Sequence, residues 1–292
     1  MNNQLKYYQE SGKYHAPSLL LSVLAVVFLS LVLGYVYSAI NYISPIIYIN
    51  VLLVIGLGIV MGYTVLVLCK LSKVSNYKIR MGLAIFMGLL TLYFQWTAYL
   101  GFLVFDGLPD ISWYLGSLGW LFYNSLEKEL FFELYQYGAY EVFRTQVTDY
   151  ALLFIWLIEA GIIIATPILA VLRYVPLPIS NQYNKFYDQY TLHKDFRSIG
   201  SGDLAAAQIQ SNPLEVLRDF EKGKANRHSK FKIYYLPEEN KQYLKAENVS
   251  VQPRNESKTE IDVIIKYLEI TTSQAKDILA EFTHDKNGFQ LL

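Results

Sequence analysis

A single cysteine, Cys69, excludes an internal disulfide and leaves no thiolate set for a zinc site. Histidine is scarce too. His15, His193, His228 and His284 are scattered without metal-ligand spacing, so each reads as an ordinary surface residue. The GxxxxGK[ST], HExxH and GxSxG signatures and paired Cys-x-x-Cys motifs are all missing, which leaves the familiar phosphoryl-transfer, zinc-protease and serine-hydrolase chemistries without a carrier. The chain is therefore not expected to be an enzyme, and no cofactor is expected. Lipid chemistry by carboxylates would rest on Glu127, Glu129 and Glu133, which qualify only by their proximity to one another.

Charge is thin as well. Only 17% of residues are charged against 53% hydrophobic, and the formal net charge is zero. That balance lies outside the soluble norm and points to a membrane protein. Four stretches, 19–40, 45–68, 82–105 and 150–172, have the roughly 20 apolar residues that a bilayer-crossing helix needs. The first is longer than a signal-peptide core of about 7 to 15 residues, so it reads as a retained span. Pro45 is expected in the first turn of the second helix, where its missing N–H costs nothing.

The few charges are unevenly placed. Between the second and third spans stand Lys70, Lys73, Lys78 and Arg80 with no acid. The long connection 106–149 carries Asp106, Asp110, Glu127, Glu129, Glu133, Glu141 and Asp149 against Lys128 and Arg144. The positive-inside rule then puts the first connection and both termini in the cytoplasm and the second connection outside. The external segment is dense in Trp, Tyr, Phe and Leu, and is expected to form one or two helices at the outer interface.

After Arg173 the composition turns polar. Two prolines in "YVPLPIS" end the last span, and the remainder reads as a soluble domain. Short helices are expected at "SGDLAAAQIQ" and "NPLEVLRDFEKG", with Ser201 or Asp203 and Asn212 as caps, Pro213 at the first helical position and Gly223 as the stop. "KFKIYYL" reads as a strand, and "TEIDVIIKYLEITTSQAKDILAEF" as two helices, the second capped by Thr272 or Ser273. The expected architecture is an all-α transmembrane bundle of four spans with both termini cytoplasmic, followed by a small α+β, mostly helical, cytoplasmic domain. Its divisions are 1–18, a membrane domain 19–174 with an external insertion at 106–149, and 175–292.

Three features carry possible function. Small residues four apart, Gly58 with Gly62, Ala84 with Gly88 and Gly161 with Ala165, allow close helix packing within one chain or between copies. Glu159 and Gln95 both lie about 14 to 15 Å from the external end of their spans at 1.5 Å per residue, sharing a level near the midplane. A carboxylate there has to be neutral, reach water or find a partner. It either bonds Gln95 as interhelical glue or borders a path for permeation, gating or proton transfer. In an oligomer, the acidic external segment would concentrate cations above it. The third feature is the acid-free run Lys222, Lys224, Arg227, His228, Lys230 and Lys232, followed by Tyr234, which suits a nucleotide, a single-stranded nucleic acid or anionic headgroups.

The expected role is a homo-oligomeric channel or pore-forming effector of the cell inner membrane, closed by apolar residues and gated by an anionic ligand at the cytoplasmic domain. This organisation is shared with membrane effectors of bacterial signalling and antiphage defence, an analogy that does not fix function. The alternative is a non-conducting scaffold or sensor subunit that recruits a cytoplasmic protein partner.

Overall fold

The computed structural model describes residues 5–43, 46–105, 107, 112, 114–115, 125–138, 140–142, 145–252 and 255–287. Pro45, Asp106, Asp110 and Arg144 lie outside them. The chain divides into two compact units, Gly12–Val175 and Met1–Ser11 with Pro176–Leu292.

The first unit is built on α1 (Ala16–Ile43), α2 (Ile47–Leu71), α3 (Tyr77–Val104) and α5 (Asp149–Arg173), all four long and apolar enough to cross a bilayer, as a multi-pass membrane protein requires. Between α3 and α5 come α4 (Ser125–Tyr137) and an antiparallel hairpin of β1 (Tyr140–Val142) and β2 (Thr145–Val147). The helical part of that segment follows from its aromatic density, whereas the hairpin was not expected. α3 is the most enclosed helix; it packs against α1 and α5, and α2 packs against α5.

Small residues set these contacts. A Cβ added at Gly58 would meet Thr166 Oγ1 at 2.7 Å, and one at Gly62 would meet Ala170 Cβ at 2.9 Å, so this pair seats α2 on α5. Gly88 seats α3 on Ile164 of α5 in the same way, and Gly34 brings α1 onto the Gln95 backbone. Around them Val26, Met61, Val65, Met87, Ile163 and Val171 form the apolar core.

The second unit contains β3 (Ile179–Ser180), β4 (Lys185–Phe186), β5 (Asp188–Leu192), α6 (Gly202–Ser211), α7 (Pro213–Asp219), β6 (Arg227–Tyr235), β7 (Lys241–Gln252), β8 (Asn255–Thr271), α8 (Thr272–Glu281) and β9 (His284–Asn287). β3 and β4 pair as a small hairpin, while the main sheet has the order β8-β7-β6-β5-β9, antiparallel throughout. Its outer strand β8 is covered by the N-terminal segment: Glu269 N–H donates to Lys6 O at 2.8 Å, Tyr8 N–H donates to Tyr267 O at 2.9 Å, and Tyr7 bridges Leu268. Pairing the edge this way removes a template for aggregation. One face packs Phe231, Ile233, Leu244, Ala246, Ile265 and Leu268 against Ala205, Ala206 and Ile209 of α6, Leu217 of α7 and Ile278 of α8.

Ser201 stands at the N-cap of α6 and Asn212 at that of α7, neither side chain making a cap hydrogen bond, and Pro213 takes the first position of α7. The "mostly helical" expectation is corrected, however, because "TEIDVIIKYLEIT" lies in β8. Register shifts around Ala246 insert extra residues in β8 and put Tyr267 at φ 57°, so buried Ile265 and Leu268 fall three apart and imitate a helical period. The helix that follows is capped by Thr271, not by Thr272 or Ser273. Thr271 Oγ1 accepts from Gln274 N–H while Gln274 Oε1 accepts from Thr271 N–H, a capping box. Gly223 does not stop α7, which closes at Asp219; it sits where the chain runs back along 195–196.

A Cβ at Gly223 would lie 2.4 Å from Phe196 O and 2.5 Å from His228 Cβ, whereas one at Gly200 would meet nothing within 4 Å. Gly223→Ala should therefore destabilise the fold by about 1–3 kcal/mol and lower the thermal unfolding temperature in detergent or nanodiscs, with Gly200→Ala close to wild type.

Candidate functional site

Glu159 is 6% exposed inside the helical unit. Its partners come from three other elements. Tyr37 of α1 hydrogen-bonds Glu159 Oε1 and also reaches Asn50 Oδ1 of α2 at 2.7 Å. Asn50 Nδ2 donates to Tyr140 Oη of β1 at 3.0 Å, and Tyr140 and Asn50 both act on the Glu159 carboxyl. All four residues are buried. Beside these groups the wall is aromatic: Trp156, one turn earlier on α5, packs against Trp96 at 5.0 Å and Phe131 at 5.1 Å between ring centroids.

Gln95, placed at the same depth by residue counting, is not among the hydrogen-bond partners of Glu159. Its backbone carbonyl accepts from Ser38 Oγ at 2.6 Å, and its side-chain Oε1, like Asn41 Oδ1, is buried without a partner among the described residues. Matching depth did not bring them together because α3 presents Gln95 toward α1, where Gly34 and Ser38 receive it. The missed partners left a faint signal: Asn50 is itself a buried amide in an apolar run, and Tyr37 a phenol with one polar atom to satisfy.

The sheet of the second unit offers the second candidate. Strand alternation divides the basic run, because residues two apart share a face. Arg227 is exposed on the turn with Lys222 and Lys224, while His228, Lys230, Lys232 and Tyr234 line the sheet face turned away from the helices. Of these, His228 is buried with Nε2 3.4 Å from Asp195 Oδ1, and Tyr234 is buried and donates to Gln189 Oε1 at 2.9 Å. Lys232 is paired with Glu247 of β7 at 2.7 Å. So the run does not form one cluster. Three cations stay exposed at the turn, Lys230 is half-buried on the face, Lys232 and Tyr234 are engaged within the sheet, and His228 is buried beside Asp195.

β7 adds groups that were not anticipated. Glu247 takes a second ammonium, Lys245 Nζ at 2.6 Å, and Lys245 also lies 5.8 Å from the Tyr267 ring centre. Beyond it, Tyr8, Tyr187, Tyr243, Tyr267 and Tyr234 meet edge to face. Reading "YLKAE" with a period of two would have placed Tyr243, Lys245 and Glu247 on this face. Lys241, paired with Glu269 opposite Tyr243, and Asp285, in line with Thr191 and Lys232, share this face, so its cations stand among acids with rings beside them.

Among the described residues no group of three or more His, Cys, Asp or Glu could hold a metal ion. Glu129 and Glu133 are exposed on α4 and the side chain of Glu127 lies outside the description. Comparison with protein-family models, curated proteins and solved structures finds no match, so the site stands on its own residues.

Burial alone would raise the Glu247 carboxyl, but hydrogen bonds and charge from Lys232 and Lys245 outweigh it and hold the group below the ordinary carboxylate value of 4.5. A depressed carboxylate stabilises the fold above its unfolded value and loses that contribution as pH falls through the folded one. The second unit should therefore weaken in acid below that ordinary value. Glu247→Gln should start less stable at neutral pH and show a flatter acid dependence, read as unfolding temperature against pH.

Proposed function

We propose that this chain is a homo-oligomeric channel or pore-forming effector of the cell inner membrane, with both termini cytoplasmic, closed by apolar side chains at rest and gated by an anionic ligand, a nucleotide or short oligonucleotide, at its soluble domain. The observation that carries this reading is on α5. Two of the three pairs of small residues are used up inside the chain: Gly58 and Gly62 on α5, and Ala84 and Gly88 within the bundle. The third is not. Gly161 has nothing within 4 Å of a would-be Cβ, Ala165 is exposed, and Leu157 and Leu169 flank them at 61% and 47% exposure. A small-xxx-small face of this kind lets helices from separate copies approach closely. An assembly around it would have an apolar lumen, which closes by dewetting.

The ligand end is supported by the exposed cations Lys222, Lys224 and Arg227 and by Lys230, Lys232 and Lys245 beside tyrosine rings. Coupling needs the ligand to prefer one of two arrangements. The chain supplies two covalent routes for that preference, since the segment paired to β8 continues into α1 and α5 continues into the second unit. The enclosure of Glu159 and of its partners favours a second reading, a non-conducting scaffold or sensor subunit with a cytoplasmic protein partner, because an inward-facing carboxylate is not on the face that copies would share.

Reconstituted in liposomes, the protein should pass ions only after addition of a nucleotide or short oligonucleotide to the face bearing the soluble domain, and Gly161→Leu should abolish both the current and cross-linking of Ala165→Cys between copies. Silence with every nucleotide and oligonucleotide tried, together with a stoichiometric protein partner on native purification, would favour the scaffold instead.

A further inference from the structure

The Tyr37 hydroxyl carries one proton, yet both oxygens it meets, Asn50 Oδ1 and Glu159 Oε1, are acceptors when the carboxylate is ionised. One of these contacts lacks a hydrogen unless Glu159 supplies it. We infer that Glu159 is a proton-binding site: it is held as a carboxylic acid that closes a four-membered hydrogen-bond ring, and loss of its proton releases the β1–β2 hairpin from the helices. In the closed ring the Glu159 O–H donates to Tyr37, Tyr37 O–H donates to Asn50 Oδ1, Asn50 N–H donates to Tyr140, and Tyr140 O–H donates to the remaining Glu159 oxygen. Each O–H is used once, the second N–H of Asn50 is left to act on the Glu159 carboxyl, and head-to-tail rings strengthen each of their bonds.

Turning the Asn50 amide over would supply Tyr37 with another donor and allow an ionised carboxylate. That arrangement places a bare negative charge in an apolar bundle, where desolvation opposes it strongly unless a cation answers. Among the described residues none does. α1 contributes Tyr37, α3 Tyr99 and β1 Tyr140, while α2 contributes the neutral Asn50, and no lysine or arginine acts on Glu159. α4 turns Phe131 and Leu134 toward α5 and leaves Glu129 and Glu133 exposed.

When the proton passes to a base in solvent, both oxygens of the carboxylate become acceptors. They draw the hydrogens of Tyr37 and Tyr140, and Asn50 Oδ1 is left without its donor. The buried charge is relieved most cheaply by admitting water, and the element with least to lose is the hairpin, whose strands have three residues each. Its tie to α2 and α5 is Tyr140, which is 6% exposed and packs with Leu152 and Trp156. The site is thus a proton-held latch, and it stands whether or not copies associate.

Difference infrared spectroscopy of the full chain in nanodiscs tests the proton directly. At neutral pH the wild type should show the carbonyl band of a protonated carboxylic acid, shifting in heavy water and absent from Glu159→Gln. Tyr37→Phe should keep the band and move it, because its acceptor is gone. Hydrogen exchange tests the latch: amides of 140–142 and 145–147 should exchange faster on alkaline titration in the wild type, while in Glu159→Gln, which preserves a neutral ring, they should stay protected at every pH. Absence of the band in both wild type and Tyr37→Phe overturns the proton site. A hairpin whose exchange follows pH equally in wild type and Glu159→Gln overturns the latch.

Discussion

A polar group in an apolar bundle has to find its partners within the protein, because the surroundings offer none. Glu159 is the group for which that demand is strictest, and its answer fixes much of the helical unit. Its partners come from α1, α2 and β1, so these elements can hold only the places that bring Tyr37, Asn50 and Tyr140 to one carboxyl group. α1 packs chiefly on α3 and α5 on both α2 and α3, and the Tyr37 to Glu159 bond joins α1 to α5. Glycines permit the close approach on either side, since Gly34, Gly58, Gly62 and Gly88 all lie where a side chain would collide with the next helix. Apolar packing brings the helices together, and the polar ring selects which arrangement of them is allowed.

The sheet of the second unit solves a different problem. Its core on the helix side is ordinary apolar packing, but the opposite face carries Lys232, Lys245 and Glu247 beside a run of tyrosines. Two ammonium groups share one carboxylate there, and Lys241 pairs with Glu269 on the same face. The N-terminal segment completes the sheet edge before the chain enters α1, so the first residues of the chain belong to the unit formed by the last ones. Strain at the edge is local: Tyr267 adopts a φ of 57°, and the bulge around it turns the strand there.

Length and apolarity alone made the long helices legible, because those quantities decide whether a segment can cross a bilayer. Glu159 was legible as an exception. Its partners were not, because depth along a helix axis says nothing about which way a side chain faces, and Gln95 at the right depth faces α1 instead. The long strand β8 was misread for a related reason. Bulges change the spacing of buried residues, so "IDVIIKYLEI" shows a period between those of strand and helix, and its β-branched content was the better guide. The basic run looked continuous in sequence, yet alternation along β6 splits it between a turn, a face and a buried contact.

Tyr37 and Glu159 act as one unit that ties α1 to α5. A double-mutant cycle on thermal or denaturant unfolding in detergent, using Tyr37→Phe, Glu159→Leu and the pair, measures this coupling most directly. Each single change leaves a buried polar partner unsatisfied, so each should cost about 1–3 kcal/mol, and the double change should cost clearly less than the two together. Additive losses would show that the two side chains contribute independently, and the account of a ring that selects the helix arrangement would be wrong.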